Sequence, residues 1–120
     1  MFDINLRKYP RIDHPCQITL KLDNGRDEIR SCTAINIGLG GLCVAQDRSI
    51  NLGMKVDVKV YFKEEESPFK CRGTVRHCRQ DGERDFKIGL EFEPLSEASH
   101  AFLTEKISNI IELQKKEKSK

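Results

Sequence analysis

Two arginines, Arg7 and Arg11, stand four residues apart ahead of the first strand-like run. A glycine-rich stretch, Asn36-Ile37-Gly38-Leu39-Gly40-Gly41, follows about one hairpin later. A guanidinium is a planar, permanently charged fork that fits a phosphate or the O6/N7 edge of a guanine. Glycine lets backbone come close to a ligand because no side chain intervenes. An asparagine amide can meet a guanine edge through its oxygen or its NH₂. Arg7 and Arg11 on an extended segment point the same way, roughly 13 Å apart. The combination predicts a surface site for a small anionic guanine nucleotide.

The elements that must position these groups read as strands. Pro10 disfavours helix at Tyr9, so residues 1–13 are expected to form an extended arm. Cys16, Ile18, Leu20 and Leu22 alternate with polar residues, and Asp23-Asn24-Gly25 signals a tight turn. A second strand is predicted over 28–35, interrupted by the Asn36–Gly41 turn, and Leu42 to Ala45 resume a third. Val56, Val58, Val60 and Phe62 alternate cleanly with polar positions and Tyr61. Phe69, Cys71, Gly73, Val75 and His77 share one parity in a long fifth strand, with Gly73 expected at a bulge or bend. A turn over 80–83 leads to a sixth strand carrying Phe86, Ile88, Leu90 and Phe92. After Pro94, Ser96 is a helix cap, and Phe102, Leu103, Ile107, Ile110 and Ile111 mark one apolar face. The expected fold is all-β: a six-stranded antiparallel β-barrel over 14–93, whose closure removes exposed edges, with a C-terminal α-helix over 96–116.

Composition narrows the chemistry further. At 120 residues the chain is one domain, and 38% hydrophobic with 33% charged residues excludes a disordered polymer. A net charge of +2 is too balanced to imply general nucleic-acid binding, and with no tryptophan, base-stacking platforms are poorly supplied. No apolar run approaches the ~20 residues that cross a bilayer, and the N-terminus lacks a secretory layout, which places the expected location in the cytoplasm with no membrane partner. Five cysteines without C-x-x-C spacing predict small buried hydrophobes rather than a disulfide framework. His14, Cys16, Cys71, His77 and Cys78 lack the spacing of a structural metal site, and His77 and Cys78, being adjacent, face opposite ways on a strand. No nucleophile elbow, Cys/His/Asn arrangement or phosphate loop is present, so no catalytic residues and no enzyme activity are expected.

The same residues carry a family resemblance. Arg7-Lys8-Tyr9-Pro10-Arg11 matches the R-x-x-x-R motif of PilZ domains. Asn36 to Gly41 resembles their second motif, [D/N]-x-S-x-x-G, with Gly38 where serine is usual. Phe86-Lys87-Ile88-Gly89-Leu90-Glu91-Phe92 is similar to the family's late strand, and the likeness spans roughly residues 6–112. The resemblance implies a barrel that binds the bacterial second messenger cyclic di-GMP. Carried over residue by residue, Arg7 and Arg11 become a clamp, Asn36 a contact to a guanine edge, Gly38 the position of the missing hydroxyl, and Gly41 a point of close backbone approach. Leu6, where an arginine would stack on a second ligand molecule, favours a single bound molecule.

Only six residues precede Arg7, which predicts a stand-alone receptor module acting through a partner protein. The predicted mechanism is an arm that orders over the ligand and changes the surface shown to that partner. The alternative is a degenerate PilZ-like interaction domain that binds no nucleotide, with a small RNA-binding barrel as a third option.

Overall fold

The computed structural model describes residues 11–23, 28–63 and 65–118. Six strands precede one helix: β1 (Arg11–Leu22), β2 (Ile29–Gly38), β3 (Gly41–Gln46), β4 (Lys55–Tyr61), β5 (Phe69–Gly82), β6 (Asp85–Phe92) and α1 (Glu97–Lys118). All neighbouring strands are antiparallel, and the order β1-β2-β3-β6-β5-β4 closes on itself through β4 and β1. Closure pairs every strand on both sides, so the barrel has no free edge.

The alternation that builds the barrel is clearest in β4. Val56, Val58 and Val60 are buried, and Lys55, Asp57, Lys59 and Tyr61 are exposed. Ile18 and Leu20 from β1, Leu42 and Val44 from β3, and Ile88 and Leu90 from β6 are fully enclosed and fill the same core. Four register shifts break this parity, one of them at Asp81 between the Gln80–Phe86 and Gly82–Asp85 pairs. Asp13 pairs with Asn36 but Cys16 pairs with Ala34, so His14 and Pro15 together oppose only Ile35. Proline has no N–H to give a ladder, which is why strands carry it at bulges. On the β3 side Ile35 is itself the extra residue, between the Ala34–Val44 and Asn36–Cys43 pairs. Arg76 is extra between the Val75–Leu90 and His77–Gly89 pairs.

The helix is an integral part of the core. Leu103, Ile107 and Ile110 are buried in the same hydrophobic cluster as the strand residues. Phe102 stacks on Phe69 with ring centroids 5.7 Å apart and tilts against Phe62 at 6.3 Å, tying α1 to the loop between β4 and β5. Lys106 reinforces this seam, 3.3 Å from Glu65 and over the Phe62 ring. Ser96 Oγ accepts a hydrogen bond from the Ser99 N–H at 3.1 Å, the expected cap.

Two boundaries differ from the sequence reading. β1 begins at Arg11, inside the segment 1–13 assigned to the arm, because the His14–Pro15 bulge absorbs the proline without ending the strand. Asn36, Ile37 and Gly38 are strand residues rather than turn residues, and only Leu39 and Gly40 connect β2 to β3. The mid-strand irregularity expected at Gly73 lies instead at Arg76. A Cβ at Gly73 would lie 3.2 Å from the Glu91 carbonyl oxygen, so close strand approach explains that glycine.

Candidate functional site

The β1–β2 ladder brings the two motifs together. Arg11 occupies the register position opposite Gly38, Ile12 that opposite Ile37, and Asp13 that opposite Asn36. The end of the arginine motif and the start of the glycine motif are thus neighbours in one sheet, although 22 residues separate Asp13 from Asn36. Arg7 lies outside the described residues. Ile37 is fully buried, so strand alternation puts Asn36 and Gly38 on the outer barrel face. Asn36 is half-buried, as are Leu39 and Gly40 at the corner, whereas Gly38 and Gly41 are buried.

Gly41 has a structural cause that its sequence did not reveal. A Cβ there would collide with the backbone carbonyl oxygen of Leu90, which precedes its β6 ladder partner Glu91. The absent side chain therefore allows β3 to approach β6 and the corner to close. Phe92 N–H donates to Gly40 O at 2.8 Å and holds the same corner from the other side.

Beside the corner is a cleft of about 300 Å³ between Leu39 and Gly40 on one wall and Pro94, Leu95 and His100 on the other. His100 and Leu95 were not singled out by sequence; their nearness to the corner depends on how α1 folds back, which no local pattern encodes. A larger groove, about 770 Å³, runs between the β4–β5 loop and the first turns of α1, over Phe69 and Phe102. It is lined by none of the motif residues, whereas Leu39 and Gly40 line the corner cleft; each of the two also carries two glutamates, Glu65 and Glu66 in the groove and Glu91 and Glu93 in the cleft. The smaller corner cleft is the better match to the chemistry of the motifs.

The electrostatics of the outer face are largely internal to the protein. Arg76 pairs with Glu91 at 3.2 Å, Arg79 with Asp81 at 2.7 Å, and Arg72 with Asp23 at 2.9 Å. Hydrogen bonding to Arg79 holds the Asp81 carboxyl below its usual range, and the same bond raises Arg79. Desolvation by burial lowers the His77 pKa, with Arg79 adding to the effect, which favours a neutral imidazole. Burial pushes the Cys16 thiol up to about 11, and those of Cys32 and Cys71 up to about 12, so none is a nucleophile at neutral pH. Among the described residues, no group of three His, Cys, Asp or Glu side chains is placed to hold a metal ion. Among the same residues, no helix is long and apolar enough to cross a membrane.

Residues 5–109 match the PilZ domain family model, which covers most of the chain. The chain belongs to the PilZ domain family. Solved structures show the same barrel. The PilZ domain of YcgR from Escherichia coli, with cyclic di-GMP, superimposes with a TM-score of 0.76 at 16% identity, covering 96% of this chain and 98% of that one. The inhibitor of motility MotI/DgrA of Bacillus subtilis matches with a TM-score of 0.70 at 21% identity over 88% of this chain and 52% of that one. The K. pneumonia MrkH–cyclic di-GMP complex matches with a TM-score of 0.67 at 13% identity over 92% and 55%. This PilZ domain therefore spans about half the length of the motility inhibitor and of MrkH. No curated protein sequence matches it.

Proposed function

We propose that this PilZ domain is a receptor for cyclic di-GMP, holding the ligand between the arginine motif and the β2–β3 corner. Arg7 and Arg11 are assigned to the phosphates and guanine edges, Asn36 to a guanine edge, and Gly38 and Gly41 to the close backbone surface. The observation that carries the reading is the ladder register: Arg11 opposite Gly38 and Asp13 opposite Asn36. Two motifs suited to one ligand are thereby adjacent, with a half-buried amide beside them. The cyclic di-GMP held by structurally similar domains supports the choice of ligand.

The receptor has no catalytic step in this reading. Ligand binding orders the arginine segment against the corner, and the altered surface is read by a partner protein in the cytoplasm. Gly38 lacks the hydroxyl that serine would supply, a hydrogen bond of about 0.5–1.5 kcal/mol, so affinity is expected to be up to roughly tenfold weaker than with serine. That position also favours the second reading, an interaction domain that has lost its nucleotide.

Thermal unfolding with added ligand separates the two. A ligand that binds only the folded state raises the melting temperature, by about 2.7 kcal/mol of stability at a hundredfold excess over Kd. Cyclic di-GMP is expected to raise it and GMP is not. No rise with cyclic di-GMP at millimolar concentration leaves the interaction domain as the standing reading.

A further inference from the structure

The wall of the barrel opposite the corner breaks a rule of cross-strand pairing. In the closed order β1-β2-β3-β6-β5-β4, β5 lies three strands from β2, and β4 lies three strands from β3. On that wall Lys59 of β4 stands directly opposite Lys70 of β5, and opposite Thr19 of β1 on its other side. Val58 and Val60 flank Lys59 and are buried, so alternation turns the row Thr19–Lys59–Lys70 outward. Both lysines are exposed. Like charges directly opposite one another destabilise a sheet. Among the described residues neither lysine has a carboxylate partner.

The neighbouring cations are placed differently. Arg72, two residues along β5 from Lys70, pairs with Asp23 at 2.9 Å and with Asp57 and Glu93 at 3.5 Å each. Lys55 pairs with Glu93 at 3.8 Å and donates to Thr74 Oγ1 at 2.8 Å. Carboxylates are therefore present on this wall but gathered around Arg72 and Lys55. A local rule broken with no compensating contact inside the fold marks a position held for something outside it. One row further on, Gln17 and Tyr61 are cross-strand partners, and both are exposed. With Thr19 they offer hydrogen bonds and no negative charge. The backbone is already laddered here, Thr19 to Ser31 and Lys59, and Lys59 to Lys70, so anything that docks is met by side chains alone.

We propose that this face docks an acidic segment of a partner protein. Its carboxylates supply the counter-charges that Lys59 and Lys70 lack, and Gln17, Thr19 and Tyr61 hydrogen-bond beside them. Charge and size select that occupant. An anionic bilayer surface recruits clusters of about four to eight basic residues, and a nucleic acid a longer basic track with stacking rings. Two lysines and one tyrosine match a pair of carboxylates instead, and such pairs set orientation and specificity in protein association. The face lies opposite the corner, so its occupancy is independent of any nucleotide bound there.

The test is an amide NMR titration of the full chain with an oligoglutamate peptide at low salt and without nucleotide, repeated on two double variants. Amides of Thr19, Lys59, Tyr61 and Lys70 are expected to shift saturably. Lys59→Gln/Lys70→Gln is expected to bind at least about tenfold more weakly, with a urea midpoint at or above that of the wild type because the like-charge pair is gone. Arg84→Gln/Lys116→Gln removes the same charge elsewhere and is expected to keep wild-type affinity. Equal losses in the two double variants, or shifts confined to other parts of the barrel, would overturn docking at this face. A lower urea midpoint in Lys59→Gln/Lys70→Gln would assign the pair to the fold and remove the proposal as well. Tighter binding of an RNA oligonucleotide or of phosphatidylglycerol vesicles at the same amides would rule out the acidic protein segment as the occupant.

Discussion

Gly41 meets two demands at one position. The resemblance makes it a site of ligand approach, and the structure makes it a site of strand approach, against the Leu90 carbonyl. A side chain there strikes backbone, which cannot swing aside as a flexible side chain does. Gly41→Val is expected to destabilise the fold by about 3 kcal/mol, at the upper end of overpacking costs, measurable by urea unfolding. Any loss of ligand binding in that variant would report on the barrel rather than on a contact. Asn36→Ala removes a half-buried side chain, so its urea midpoint is measured beside its ligand affinity, and a loss of binding larger than any loss of stability is expected. The thiols give another residue-scale expectation. With pKa values near 11 and 12, Cys16, Cys32 and Cys71 are expected to resist a thiol reagent at pH 7.5 in the folded protein and to react on unfolding. Rapid labelling of Cys32 in native conditions would contradict its burial.

At the scale of elements, periodicity worked where the strands are regular and failed where they bulge. β4 was legible because every second residue is apolar from Val56 to Phe62. β2 was cut short because it meets a bulge on both sides at Ile35, the extra residue lying in β1 on one side and being Ile35 itself on the other, which breaks the alternation at the point where Asn36-Ile37-Gly38 resembles a turn. The hairpin is therefore tighter than the glycine content implied, with two connecting residues. The helix was legible from its apolar stripe and Ser96 cap, but its role in closing the core depends on Phe102 meeting Phe69, a contact 33 residues apart in sequence. Leu103→Ala, at a fully enclosed position, is expected to lower stability by about 2–5 kcal/mol, and Ser96→Ala by about 1 kcal/mol, both read from denaturant midpoints. An unchanged midpoint in Leu103→Ala would mean that the barrel holds together without α1.

For the whole molecule, the barrel order explains what the sequence leaves illegible. The pairing of β3 with β6 skips two strands, so the neighbours of the β2–β3 corner on β6 have no local signature. The arginine and glycine motifs were legible because each is short and contiguous, whereas their adjacency depends on the β1–β2 register. The same outer face gives a pH expectation. Burial lowers the His77 pKa in the folded state below its ordinary value of 6.5, so the unfolded chain binds the proton more readily. The contribution of His77 to stability is complete above pH 6.5 and declines as the pH falls below it. Urea midpoints between pH 7.5 and pH 5 are expected to fall less in His77→Gln than in the wild type, with identical slopes contradicting the shift. The central claim concerns the clamp, and one titration reaches it most directly: calorimetry of cyclic di-GMP into the wild-type chain and into Arg7→Ala and Arg11→Ala. The account predicts saturable binding of one molecule per chain and at least a roughly tenfold loss in each variant, the scale of one charge-assisted hydrogen bond. Absence of wild-type binding at high micromolar ligand, or equal affinity in all three proteins, would contradict it.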